Sequence, residues 1–374
     1  MRIAVNTRLL LSNKLEGLGR FSHETLKRIV QQHPEHQFYF IFDREYDESF
    51  IYADNITPLI AKPPARHPIL WYFFFDWGIP RLLKKYKIDL FLSPDGWLSL
   101  RTKVPQLPVI HDLNFFHKPG WVSLASRTYY NFFFPRFIKK SSVIATVSEF
   151  TKSDIESRFQ VPAEKIHVVY NGCSAGFEPV TDQKRFEVQK KYSAGKPYFV
   201  FLGLVHPRKN LHRVILAFSQ FKEDTKSEHK LLVVGSLKYM TSEVKNALKK
   251  SNFKNDIIFT GRMPESELKA TIASARAMLY PSLFEGFGIP IIEAMHCNVP
   301  VLTSNTSSMP EIGGDAVILV DPYSVDEIAE GMRRLDEDES FRETLIHAAE
   351  KQRKKFSWNR SADLLWKAID AVKL

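Results

Sequence analysis

Along the chain, short runs of apolar, β-branched and aromatic residues alternate with longer stretches whose apolar positions recur at helical spacing. In the first half this pattern predicts strands over Arg2–Arg8, Gln37–Phe42, Ile88–Ser93, Pro108–His111, Ser142–Ser148 and Ile166–Asn171. Helices are predicted there over Arg20–His33, Ile69–Tyr86, Trp121–Lys140 and Glu149–Phe159. In the second half the strands fall at Tyr198–Gly203, Leu231–Gly235, Asp256–Gly261, Ala277–Ser282, Pro300–Ser304 and Ala316–Val320, with helices between them such as Asn210–Phe221 and Glu265–Ala275. Strand–helix alternation of this kind argues for parallel sheets covered on both faces. The series occurs twice, separated by a stretch near Asn171–Lys196 rich in Gly, Pro and charge. The prediction is an α/β chain of two doubly wound Rossmann-like domains, residues 1–175 and 176–356, with a cleft between them. Ligands of such sheets bind beyond the carboxyl ends of the strands, so the loops there are where chemistry is expected. Ala362, Leu364, Leu365, Ala368 and Ile369 keep helical spacing and predict a packed helix over 357–374.

The composition, 44% hydrophobic and 25% charged over 374 residues, is that of a globular protein with a sizeable core. Two cysteines, Cys173 and Cys297, make neither a disulfide framework nor a metal cluster. The longest apolar run, Ile69–Phe75, is too short to span a bilayer, and the start of the chain reads as a strand rather than a signal peptide. These features lead us to expect a cytoplasmic protein. The net charge is +10, and most of it lies early: through residue 172 there are 23 Lys and Arg against 16 Asp and Glu. Such a half favours anionic partners, although solubility alone explains it as well.

Five segments carry candidate chemistry. In Tyr280-Pro-Ser-Leu-Phe-Glu285-Gly-Phe-Gly-Ile-Pro290-Ile-Ile-Glu293, a strand ends, a loop with Gly286 and Gly288 follows, and Pro290 suits a first helical turn. Glycines let a backbone approach a ligand, and a helix N-terminus suits a diphosphate. Glu285 and Glu293 are better fitted to accept hydrogen bonds from sugar hydroxyls than to hold phosphate. In Gly203-Leu-Val-His-Pro-Arg208-Lys209-Asn210, two cations precede a helix, where the dipole disfavours them; a bound polyanion would resolve the conflict. Glu16-Gly17-Leu-Gly19-Arg20 is a Gly-x-Gly turn after the first strand, without the third glycine of a dinucleotide fingerprint. Val109-Ile-His111-Asp112 ends an apolar strand on a histidine able to donate to a hydroxyl or carbonyl. The polar loop Thr303–Glu311 either lines a ligand or caps the next helix. Each segment taken alone also has a purely structural reading. The histidines are scattered, and neither a metal nor a prosthetic group is expected.

Taken together, these motifs resemble glycosyltransferase family four, of the GT-B fold, over almost the whole chain. The most specific part is Arg208-Lys209 followed in order by Glu285-Gly-Phe-Gly-x-Pro-x-x-Glu293. The resemblance implies that Arg208 and Lys209 bind the donor diphosphate, Glu293 the ribose hydroxyls and Glu285 the hydroxyls of the transferred sugar. Gly286, Phe287 and Gly288 would supply nearby amides, and the Ile289 N–H would face the phosphates. His111 would touch the sugar from the first domain, Gly17 and Gly19 would approach phosphates or acceptor, and the C-terminal helix would pack back on the first domain. The family's outcome is retention at the anomeric carbon. The closest likeness is to mannosyltransferases of polysaccharide assembly, which makes GDP-mannose the first donor to consider and a UDP-sugar the second. The acceptor would be a glycan or a lipid-linked glycan. Family members usually carry Gly where this chain has Asn298, at a helix end expected to need a left-handed backbone.

Three other readings stay open. A nucleotide-sugar epimerase or hydrolase can share the fold. A basic nucleic-acid-binding protein is disfavoured because acids are interspersed throughout, so no nucleic-acid partner is expected. The aromatic stretches Trp71–Trp77 and Tyr129–Arg136, with lysines beside them, suit either peripheral docking on the inner face of a membrane or the core faces of helices; packing inside is favoured.

Overall fold

The computed structural model describes residues 1–12, 15, 17–236 and 240–373. The chain divides into two compact units, Met1–Gly172 with Ser357–Leu374, and Cys173–Phe356.

The first unit is built on seven strands: β1 (Arg2–Asn6), β2 (Gln37–Phe42), β3 (Ile56–Ile60), β4 (Leu90–Ser93), β5 (Gln106–Ile110), β6 (Ile144–Thr146) and β7 (Ile166–Val168). They lie in the order β3-β2-β1-β4-β5-β6-β7, every neighbouring pair parallel. Central strands β1, β4 and β5 are mostly apolar and almost wholly buried, as expected where helices cover both faces. Helix α1 (Leu18–Gln32) follows β1 and buries Phe21, Leu26, Ile29 and Val30. The C-terminal helix belongs to this unit. Its Asn359 Oδ1 accepts from Arg28 on α1, its Trp366 stacks on His33 with centroids 3.5 Å apart, and Ser361 Oγ donates to the Tyr170 carbonyl.

Two features here depart from the sequence pattern. Strand β3 is not predicted, because Pro58 interrupts it; as an edge strand it needs no donor on its open side. The helix expected over Ile69–Tyr86 is broken into α2 (Pro68–Phe73), a π-turn at Phe74–Gly78 and α3 (Ile79–Lys85). Farther along, α4 (Leu124–Lys140) keeps Pro135 inside the helix.

The second unit has six parallel strands: β8 (Tyr198–Leu202), β9 (Lys230–Val234), β10 (Ile257–Gly261), β11 (Ala277–Tyr280), β12 (Val301–Ser304) and β13 (Val317–Val320), in the order β10-β9-β8-β11-β12-β13. A core of Phe199, Phe201, Leu231, Val233, Leu279 and Leu302 is closed by Val214, Phe218 and Phe221 of the helix Leu211–Thr225. The stretch read as a break holds a helix, Asp182–Ser193, started by Thr181 accepting from Lys184 N. It buries only Val188 and Ser193, so its polar composition hid it.

Candidate functional site

In the second unit, β8 is hydrophobic throughout and leads into Gly203, which has φ +147° and where a Cβ would lie 3.3 Å from the Lys209 stem. A 3-10 turn, Pro207–Lys209, then presents Arg208 and Lys209. It is capped by His206, whose Nδ1 accepts from Arg208 N at 3.2 Å. Asn210 fixes the turn from behind. It is fully buried with φ +64°, and its amide donates to the carbonyls of Pro281 (3.0 Å) and Pro322 (2.6 Å), tying together the loops after β8, β11 and β13.

Glu285 stands in the loop after β11, 7% exposed. Its Oε2 accepts from Arg208 Nη1, and its Oε1 accepts from Lys209 Nζ at 2.6 Å. Arg208 Nη1 also donates to the Phe284 carbonyl at 2.9 Å, and Lys209 Nζ to the Tyr280 hydroxyl at 2.6 Å. Burial by itself would raise the Glu285 pKa, but the two cations outweigh it and hold the carboxyl down at about 2. Burial, and then the Glu285 charge, push the Tyr280 phenol well above its ordinary range, so it stays protonated. Glu285 thus faces two cations from one turn, and all three side chains are at most partly exposed.

Gly286, Phe287 and Gly288 continue the loop. Gly288 has φ +107°, and a Cβ there would meet Ile291 Cδ1 at 3.0 Å. Helix α5 (Ile289–His296) starts at once, with Pro290 in its first turn, so its N-terminal dipole faces this loop. Phe287 is anchored edge-on to Phe356, 5.6 Å between centroids. Glu293 is buried on α5, and its charge, after burial itself, pushes the Cys297 thiol up to about 12. The polar loop after β12 does not cap its helix: Ser308 makes no capping bond to it. Instead Ser307 Oγ accepts from Glu285 N at 3.1 Å, and Ser308 Oγ donates to the carbonyls of Glu285 (3.0 Å) and Phe287 (2.8 Å). Tyr280, Asn210, Ser307 and Ser308 are therefore part of the site's framework. They lie inside the quoted motifs, but nothing in their spacing marks the contacts.

Asn298 has φ +54°, and its Oδ1 accepts from Arg353, which also caps the Met295 carbonyl at the end of α5.

The first unit holds a second group at the carboxyl ends of β1 and β5. His111 follows β5, and its Nε2 donates to the Pro94 carbonyl at 2.8 Å, which leaves Nδ1 as the acceptor of the neutral ring. Burial lowers its pKa. Phe21 packs edge-on against it at 5.0 Å. Gly17, exposed with φ +38°, opens α1, while at Gly19 a Cβ would come within 2.7 Å of the Leu9 carbonyl. Helix-to-loop packing thus accounts for Gly19. Glu16 lies outside the described residues.

No metal is expected from the sequence, and the Asp-x-Asp at Asp336-Glu337-Asp338 has structural partners: Asp336 lies 3.8 Å from Arg276 Nε, and Asp338 caps Phe341 N. The histidines are also less scattered than the sequence reads. His33, Glu35 and His36 meet in the turn after α1, where both rings stack on Trp366. Among the described residues no helix is long and apolar enough to cross a membrane.

Comparison with known proteins agrees with this architecture. Residues 15–176 match the model of Glycosyltransferase Family 4, and residues 182–352 that of Glycosyl transferases group 1. The chain is similar to O-antigen chain mannosyltransferase B of Escherichia coli, 27% identical over 371 residues covering 96% of both chains. It is also similar to O-antigen chain mannosyltransferase RfbU of Salmonella typhimurium, 28% identical over 283 residues, 74% of this chain and 75% of that one. Among solved structures, Anabaena HepE in complex with UDP and glucose matches with a TM-score of 0.74 at 16% identity, covering 99% of this chain and 100% of that one. WaaG, a glycosyltransferase involved in lipopolysaccharide biosynthesis, matches at 0.72 and 16% identity over 99% of both. At such identities the likeness speaks for the fold, GT-B with two Rossmann-like domains. With the two domain models matched in order over most of the chain, the protein is a glycosyltransferase of the family-four type.

Proposed function

We propose that the enzyme transfers mannose, with retention and without a metal, from GDP-mannose to a glycan or lipid-linked glycan. The observation that carries this reading is the Arg208–Lys209 pair, half-buried and ion-paired to the Glu285 carboxylate beside the start of α5. A diphosphate carries more charge than Glu285 and presents several oxygens to the guanidinium fork. Donor binding would draw both cations onto the phosphates and release the Glu285 carboxylate to accept from sugar hydroxyls. Its low pKa makes Glu285 an acceptor at neutral pH rather than an acid. Glu293 would hold the ribose hydroxyls, and the Ile289 N–H a phosphate oxygen.

As the bond from the anomeric carbon to the diphosphate oxygen breaks, charge grows on the leaving group. Arg208 and Lys209 then do most in the transition state, in the role a metal takes in other transferases. In front-face transfer the acceptor oxygen bonds to the face the diphosphate leaves, and its proton passes to the leaving phosphate. Two relatives named as O-antigen chain mannosyltransferases favour mannose. A UDP-sugar is the second reading, favoured by the UDP and glucose held by HepE.

Thermal unfolding with GDP, UDP, ADP and dTDP, with and without EDTA, tests the donor base and the metal together, since a ligand of the folded state raises its melting point. Stabilisation by GDP alone, unchanged by EDTA, is expected. No shift at millimolar nucleotide would refute the donor site. Proton NMR of the product of GDP-mannose turnover reports the anomeric configuration; inversion, or a covalent glycosyl-enzyme, would refute front-face transfer.

A further inference from the structure

The two aromatic stretches of the first unit divide between core and surface. Trp71, Phe74, Phe75, Tyr129 and Phe134 pack inward, Trp71 against Trp97 at 4.1 Å and Trp97 against Tyr129 at 5.1 Å. Ile69, Phe73, Trp77, Leu124 and Phe132 do not; they are exposed by 39% to 77%. On each stretch the outward positions recur every fourth residue and end on an arginine: Ile69, Phe73, Trp77 and Arg81 on one, Leu124, Thr128, Phe132 and Arg136 on the other. The two helices are joined through Tyr72, whose ring lies 5.4 Å from Phe73 and 6.0 Å from Phe133, itself 4.9 Å from Phe132. Cations lie over the exposed rings: the Arg101 guanidinium is 3.9 Å from Trp77, and that of Arg136 is 3.7 Å from Phe132.

Along the two stretches themselves the charge is almost all of one sign. Residues 55–88 carry six Lys and Arg and one acid, Asp76, while residues 113–148 carry five Lys and Arg and no acid. Asp76 is buried and consumed internally, accepting from Leu100 N at 2.6 Å and from Ser99 Oγ at 3.2 Å. Protruding apolar side chains on stretches rich in Lys and Arg, two of them with a guanidinium over the ring, match a bilayer interface with anionic headgroups, where rings and aliphatic chains enter the acyl boundary and Lys and Arg stay at the phosphates. A folded nucleic acid or an acidic protein would satisfy the cations but would give Ile69 and Leu124 no apolar environment.

We infer that the face formed by α2, the π-turn and α4 docks the enzyme peripherally on an anionic lipid surface. Deeper insertion is ruled out by the short apolar runs, so attachment is reversible and salt-sensitive. This rests on the transfer reading only in that a lipid-linked acceptor gives the docking a purpose.

Co-sedimentation of the full chain with vesicles of equal parts phosphatidylcholine and phosphatidylglycerol, without any sugar donor, tests it. Binding is expected to the mixed vesicles, weakened by salt and lost on phosphatidylcholine alone. The double variant Phe73→Ser, Trp77→Ser should lower the partition coefficient at least ~tenfold. Phe186→Ser, which removes an equally exposed ring from the second unit, should leave it unchanged. Melting temperatures of the variants verify that they fold. No binding to the mixed vesicles, equal binding by the double variant, or a preference for mixed-sequence DNA over vesicles would each overturn the inference. None of these outcomes bears on nucleotide-sugar binding, which the thermal assay reads separately.

Discussion

Replacing Glu285 by Gln removes a charge that pairs with both Arg208 and Lys209, and the size of the effect follows from the carboxyl's titration. Its pKa falls from an ordinary 4.5 to about 2 on folding. Two and a half units at 1.36 kcal/mol each give about 3 kcal/mol of native stability at neutral pH. Because the folded value is the lower one, this stability is complete above about pH 4.5 and is lost as pH falls toward 2. Glu285→Gln should therefore cost about 3 kcal/mol near pH 7 but only about 1.5 near pH 3, where the wild-type has itself lost part of the contribution. For a unit of this size the neutral-pH loss is roughly 6–12 °C in melting temperature. Calorimetry across that pH range measures it. A neutral-pH deficit under about 1 kcal/mol, or one that stays constant on acidification, would refute the electrostatic account. A diphosphate should recover part of the loss, because it neutralises the same two cations; a smaller stabilisation by GDP in the variant than in the wild-type would contradict the exchange proposed for donor binding.

Arg208→Ala and Lys209→Ala should each lower kcat by roughly a hundredfold or more, about 3 kcal/mol of transition-state charge stabilisation, with a smaller change in KM, read by steady-state kinetics. Asn298→Ala places a Cβ at φ +54° and deletes the acceptor for Arg353, so a loss of about 2 kcal/mol is expected in urea unfolding, and Asn298→Gly should cost less. At Gly235 a Cβ would meet the Gly203 carbonyl oxygen at 2.0 Å, so Gly235→Ala should destabilise the second unit by about 3 kcal/mol and displace the Lys209 turn; unchanged melting would refute this. Leu365→Ala, in the fully buried face of the C-terminal helix, should cost about 3 kcal/mol and act on the first unit alone, resolved by hydrogen exchange.

Legibility in the sequence followed burial. Strands β8 and β11 are hydrophobic at every position, and β4 and β5 at all but Ser93 and Gln106, because helices cover both their faces, and that leaves a plain signature. Edge strand β3 and the helix Asp182–Ser193 meet the core on little surface and leave almost none. The π-turn at Phe74–Gly78 is invisible for another reason: one extra residue per turn shifts the phase of an aromatic run that is apolar in either register. In the site, Arg208, Lys209 and Glu285 were findable by residue type and order, and their direct contact was not, since the charges are 76 and 77 positions apart. Tyr280 and Ser308 were quoted within motifs without a role. Their hydroxyls matter through partners on other loops, which a single sequence does not pair.

The second unit lies wholly within the chain of the first, which it leaves at Gly172 and rejoins at Ser357. A ribosome therefore completes the inner unit before it supplies the helix that closes the outer one. Through the synthesis of nearly half the chain, the buried face of α1 and strand β7 await the apolar face of the C-terminal helix, with its Leu365, Ala368 and Ile369. The nascent first unit must then persist as an unfinished, apolar-faced intermediate while its insert folds, which makes it the natural client of a chaperone and the stage at which the enzyme is most exposed to aggregation.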